Sequence, residues 1–175
     1  MTHTEAQTET DAVAQATDNI HIRVFDGDLK SPSDTAQASL LNEYSTHNET
    51  RDRYHEIKIE ALAGTTVDLG VDAVALGDGP APVGSLPKST ILDNETFRIG
   101  TVDLDAVGQT LTVTALLDTT QGNGQTFNEA AVVAERPGGD LAINRFLLDD
   151  PGGLLDPKNQ DETVTIQIEI TESDA

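Results

Sequence analysis

The chain is expected to be mainly β: an antiparallel β-sandwich, Ig-like or jelly-roll-like, with one helical segment and a flexible acidic N-terminal arm. Two observations predict this. From Gln109 to Thr171 four short strand-like runs are separated by glycine- and proline-bearing turns, and the first and last of them alternate apolar with polar residues as half-buried strands do. Aromatic residues are scarce, only Phe25, Phe97, Phe127, Phe146, Tyr44 and Tyr54, so the core must be built from Val, Ile, Leu and Ala. A thin aliphatic core of this kind makes burial against neighbouring subunits a reasonable expectation. Three stretches follow: 1–18 as a flexible arm, 19–64 as a strand plus a helical segment, and 65–175 as an antiparallel β domain.

Residues 1–18 are Thr, Glu, Gln and Ala with almost no large apolar side chain, which predicts a segment ordered only on contact with a partner. Ile20, Ile22 and Val24 alternate with His21 and Arg23 as a strand, broken by Asp26-Gly27-Asp28 and then by Ser31-Pro32-Ser33-Asp34. Between Thr35 and Ala63 two patterns compete. Thr46-His47-Asn48-Glu49 reads as a capping box, Tyr54, Ile57, Ala61 and Leu62 share a helical face, and Gly64 suits a C-terminal cap. Ile57, Ile59 and Ala61 also alternate as in a strand. The helix is preferred.

From Val67 the period becomes two, through Leu69, Val71, Val74 and Leu76, until Gly77-Asp78-Gly79-Pro80-Ala81-Pro82 forces a loop. Arg98 to Val102 with Leu104 predicts a further short strand. The last four strands are LTVTALLD, FNEAAVVAE, LAINRFLLDD and ETVTIQIEIT. Leu111, Val113, Ala115, Ile166, Ile168 and Ile170 should face the core, and Thr110, Thr112, Thr114, Gln167 and Glu169 water. Gly122 and Gly124 flank Asn123 and supply the positive φ that a tight connection requires.

Thirty-one acidic residues face ten basic ones, a formal net charge of −21 and a pI near 4.1. Such a chain repels itself in dilute buffer. In molar salt the Debye length falls to about 3 Å, and neighbouring carboxylates are screened from one another. The acids are dispersed among periodic apolar positions rather than gathered in one block, so a folded halophilic domain is preferred over a disordered acidic tract. Nucleic acid is not an expected partner, because no basic stripe opposes the repulsion from phosphates. Without cysteine, disulfides and thiolate metal sites are excluded. No apolar run reaches the roughly 20 residues that span a bilayer, so membrane insertion is not expected, and Met1 to Thr17 does not read as a signal peptide.

Candidate chemistry is sparse. His47, Asp52, His55 and Glu56 fall near one another, but the tight helical pair of zinc hydrolases is missing, and a solvated helix face is preferred. Asp149, Asp150, Asp156 and Asp161 around Pro151-Gly152-Gly153 offer oxygen ligands of the kind Ca²⁺ takes, without EF-hand spacing; a turn is preferred, and no cofactor beyond a structural cation is expected. No nucleophile elbow surrounds any serine, and enzyme activity is not expected. Asn48-Glu49-Thr50 and Asn94-Glu95-Thr96 match the glycosylation sequon, a signal with little weight by itself. The residues singled out are therefore structural: Asp78, Gly79 and Pro82 in one loop, Gly122, Asn123 and Gly124 in another, with Phe127 and Phe146 as sheet anchors.

The order VDAVALGDGPAP, NETFRIG, LTVTALLDTTQGNGQTFNEAAVVAE, GGDLAINRFLL and DETVTIQIEIT resembles a module of tailed-phage virion proteins, described as tail fibre or tail-associated structural proteins. The matching positions are Ala75 to Gly79 with Pro82, Gln121 to Gly124, Thr126 to Val133, Leu141 to Arg145 and Glu162 to Thr171. The chain departs from the pattern in Ala130-Ala131-Val132-Val133, where a Phe is usual, and in a longer loop from Asp149 to Asp161. With the acidic composition, the resemblance implies a structural protein of a tailed virus or provirus of a halophilic archaeon. It would be assembled in the host cytoplasm into the virion at the tail tip, baseplate or fibre, as a trimer or ring beside other virion proteins and with access to a host surface receptor. A capsid decoration or turret protein is the alternative, and a host cell-surface carbohydrate-binding β-domain the second.

Overall fold

A computed structural model describes residues 18–31, 38–50, 52–65, 69–79, 86, 90–148 and 157–171. The strands are β1 (Asp18–Asp26), β2 (Ser39–Thr50), β3 (Ala73–Gly77), β4 (Glu95–Ile99), β5 (Val102–Val107), β6 (Thr110–Leu117), β7 (Glu129–Ala134), β8 (Leu141–Leu147) and β9 (Glu162–Thr171), with helix α1 (Asp52–Leu62) after β2. All pairings are antiparallel. They run β4-β3-β7-β8-β2-β1-β9-β6-β5, and β2 links two sheets. Over most of its length β2 pairs with β1, and at Glu49 and Thr50 it turns to pair with Arg145 and Asn144 of β8. The molecule is a mainly β sandwich, as the sequence predicts.

The main core lies between the sheets. Ile20 and Ile22 of β1, Val113, Ala115 and Leu117 of β6, and Ile166 and Ile168 of β9 meet Val74 and Leu76 of β3, Val132 of β7, Ile143 and Phe146. Thr112, Thr114, Gln167 and Glu169 lie on the wetter face, as expected from their alternation. The second sheet is different, because β3, β7 and most of β8 are buried on both faces. Its outer face carries Ala73, Ala75, Ala131 and Ala142, with Leu92 and Ile91 packed over them. The alanines leave room for that covering segment at close range, where larger side chains would hold it off.

Four expectations need correction. The capping box is not one: Thr46, His47 and Asn48 are paired in β2 opposite Ile20, Asn19 and Asp18. The long-range ladder with β1 outweighs the local capping signal. The helix begins only at Asp52, so His47 does not share it with His55 and Glu56. Its end is as predicted: Gly64 has φ +86°, its N–H donates to Ala61 O, and Thr65 N–H donates to Glu60 O, a Schellman cap. The strand expected from Val67 starts at Ala73; Leu69 and Val71 pack against the core without joining a ladder. The single strand expected over 98–104 is two, β4 and β5, because Gly100 and Thr101 carry the chain from one sheet to the other.

Candidate functional site

The loop after β3 is tied down by a buried carboxylate. Glu129 opens β7 on the outer face of its sheet, diagonal to Arg145 of β8, and both side chains are 0% exposed. Arg145 donates from Nε at 2.8 Å and from a terminal nitrogen at 2.6 Å to Glu129 Oε2. The same carboxylate accepts the backbone N–H of Asp93 (3.1 Å) and of Asn94 (2.9 Å), which arrive from the far end of the loop. One anion thus satisfies a buried cation and two part-buried backbone donors of a surface loop.

Asp78 and Gly79 belong to this knot. Asn94 Nδ2 donates to Asp78 Oδ1 at 2.6 Å, Asn128 Nδ2 donates to Asp78 O at 2.9 Å, and Asp78 N–H donates to Asn94 O at 3.2 Å. A Cβ on Gly79 would stand 2.4 Å from Asp93 Cβ and 2.5 Å from Glu129 Oε1. Glycine is needed there because backbone and carboxylate pass too close for a side chain. Pro82 lies outside the described residues.

The second predicted loop is held by a lysine. Gly122 and Gly124 have φ +64° and +74°, as the turn required. Lys158, almost fully buried, donates from Nζ to Asn123 Oδ1 at 2.8 Å, its backbone O accepts Gly124 N–H at 2.8 Å, and its N–H donates to Gln125 O at 3.2 Å. Burial holds the Lys158 ammonium below its ordinary pKa, partly offset by the charges of Asp118 and Glu162. Asp118 is held below the usual carboxylate range, chiefly by the Thr120 hydroxyl, with Thr120 N–H, Lys158 and Lys30 adding to the effect. Phe127 stacks under Gly122 and meets Phe97 with ring centroids 6.5 Å apart. Phe127 and Phe146 are both fully buried.

A third tie is half exposed. Arg98 of β4 grips both oxygens of Glu95 (2.7 and 2.8 Å) and reaches Asp140 (2.6 Å) and Glu135 (3.1 Å). The Glu95 bond above all raises its pKa. Arg98 also lines, with Lys30, Thr101, Thr114 and Gln121, a shallow polar cavity of about 350 Å³.

Asp149, Asp150 and Asp156 lie outside the described residues. Asp161 O accepts Gly27 N–H at 2.8 Å, a turn contact. Among the described residues no group of three or more His, Asp or Glu side chains is placed to hold a metal ion, and no helix is long and apolar enough to cross a membrane. The ties at Glu129, Arg145 and Lys158 were missed from sequence, although a signal exists: Glu129 and Arg145 are lone opposite charges inside two successive apolar runs joined by a short turn. No family model matches the chain, and no curated protein or solved structure does.

Proposed function

We propose that the chain is a structural module of the virion of a halophilic tailed virus, at the tail tip, baseplate or fibre, acting by assembly and host attachment rather than by catalysis. The observation that carries this reading is the order of turns and strands from Ala75 to Thr171. The architecture is compatible with it: the glycine-bearing turns at Asp78 and Asn123 are pinned from beneath by Glu129 and Lys158. Loops held this way keep their shape at low cost in flexibility, as a packing surface in an assembly must. A trimer or ring would bury more of a thin aliphatic core.

The test is quantitative peptide mass spectrometry on gradient-purified particles from a halophilic host, with copy number set against the major capsid protein. A few copies per particle support the tail position. Hundreds would move the protein to capsid decoration, and absence from particles would defeat the virion reading and leave a cell-surface β-domain.

A further inference from the structure

We propose that the outer edge of β5 is a docking site for an extended segment of another protein, one that alternates apolar residues with lysine or arginine. β5 ends the strand order and pairs only with β6, so among the described residues one of its sides carries main-chain N–H and C=O groups without a strand partner. An open edge is a template for an added strand, and folded proteins usually blunt it. The opposite edge, β4, is blunted: it faces a register shift at Leu76/Gly77 and carries the Arg98 ion pairs. β5 has no proline, lysine or bulge.

The two faces of β5 specify the occupant. Val102, Leu104 and Ala106 stand opposite Ala115, Val113 and Leu111, on the core side of the sheet. Of these, Val102 is partly buried, Ala106 is exposed and Leu104 is 50% exposed. An apolar groove of about 380 Å³, lined by Tyr54, Ala106, Leu111, Ile143 and Ile170, opens beside them. A strand added here would set its apolar side chains over Leu104 and Ala106. On the other face stand Asp103 and Asp105, with Val107 70% exposed. Two aspartates there oppose a second copy of this chain, which brings the same aspartates and a net charge of −21, and complement a strand with cations at alternate positions. This inference stands apart from the virion reading, because it rests on the edge alone.

The test is hydrogen exchange on the full chain with a short blocked peptide alternating valine and lysine, beside a valine–glutamate peptide and a valine–lysine peptide interrupted by prolines. With the first peptide at about ten times its Kd, the outward amides of 102–107 should exchange about tenfold more slowly. The other two should leave them unchanged, and the Asp103→Lys/Asp105→Lys variant should transfer the preference to the glutamate peptide. The proposal is overturned if no peptide protects β5, or if the lysine and glutamate peptides protect it equally. Slow exchange of these amides in the free chain also overturns it: as a sedimenting dimer, a second copy holds the edge, and as a monomer, the chain covers it itself.

Discussion

Removing one partner of the Glu129–Arg145 pair should cost several kcal/mol, a large share of the roughly 5–15 kcal/mol that holds a typical domain. Both groups are fully buried, and Glu129→Ala takes away the carboxylate oxygen that two Arg145 nitrogens hold; breaking such a pair costs about 3–5 kcal/mol. It also strands the N–H groups of Asp93 and Asn94, each worth about 1–3 kcal/mol when unpaired and dry. These sit in a surface loop that can reopen to water, so the low end applies, and the sum is about 5 kcal/mol. Arg145→Met leaves the carboxylate two backbone donors and keeps much of the stem's volume, so about 3 kcal/mol is expected. The Glu129→Leu/Arg145→Met double variant removes both charges together and should be more stable than Glu129→Ala, while still exposing the two N–H groups. Urea unfolding in constant molar KCl measures all three, since urea leaves the ionic strength alone. If both single variants lose less than about 1 kcal/mol, or their losses simply add in the double, the pair is not the tie described.

Gly79→Ala should cost about 1–3 kcal/mol, since its Cβ would collide with Asp93 and Glu129. Gly124→Ala meets open space and bears only its positive φ, about 1–2 kcal/mol; thermal melts that rank the two the other way refute the close-approach argument. The depressed pKa of Lys158 means that the unfolded chain binds more protons than the folded one between the folded value and 10.5. Stability should therefore rise with pH through that alkaline window, and Lys158→Met should flatten the rise in urea titrations. Melting temperature should climb from low to molar KCl; an unchanged value would remove the halophilic inference.

What the sequence made legible was whatever short-range chemistry decides. The four closing strands, the turns at Gly122 and Gly124 and the Gly64 cap follow from alternation, from apolar runs bounded by turn residues or from φ, all local properties. The failures share one cause, competition from partners distant in sequence. Thr46 to Glu49 carry a good capping signal, but β1 and β8 lie ready to accept them in a ladder. Leu69 and Val71 alternate correctly, but among the described residues they join no ladder and pack against the core instead. Nothing local announces that Ile91 and Leu92 fold back over the alanines of β3, β7 and β8. Glu129 and Arg145 could have been paired, since a lone charge in an apolar run demands a partner and the next run supplies the opposite sign. Lys158 could not, because its acceptor Asn123 lies thirty-five positions away.

Cation placement joins the acidic composition to the fold. With so few basic residues, a chain stabilised by surface attraction would spread them among the surface carboxylates. Arg23 and Lys30 do pair with the surface carboxylates Glu43 and Asp28, but Arg145 and Lys158 are buried and Arg98, partly exposed, is held by three carboxylates. These cations fasten one segment of backbone to another, while much of the acidic surface is left to the solvent's own cations. The two roles respond differently to salt. A fully buried pair is screened little at any ionic strength, whereas exposed carboxylates are relieved of mutual repulsion only as the Debye length shrinks. The internal ties should therefore hold loop geometry constant across the salt range in which the net stability of the fold is expected to rise.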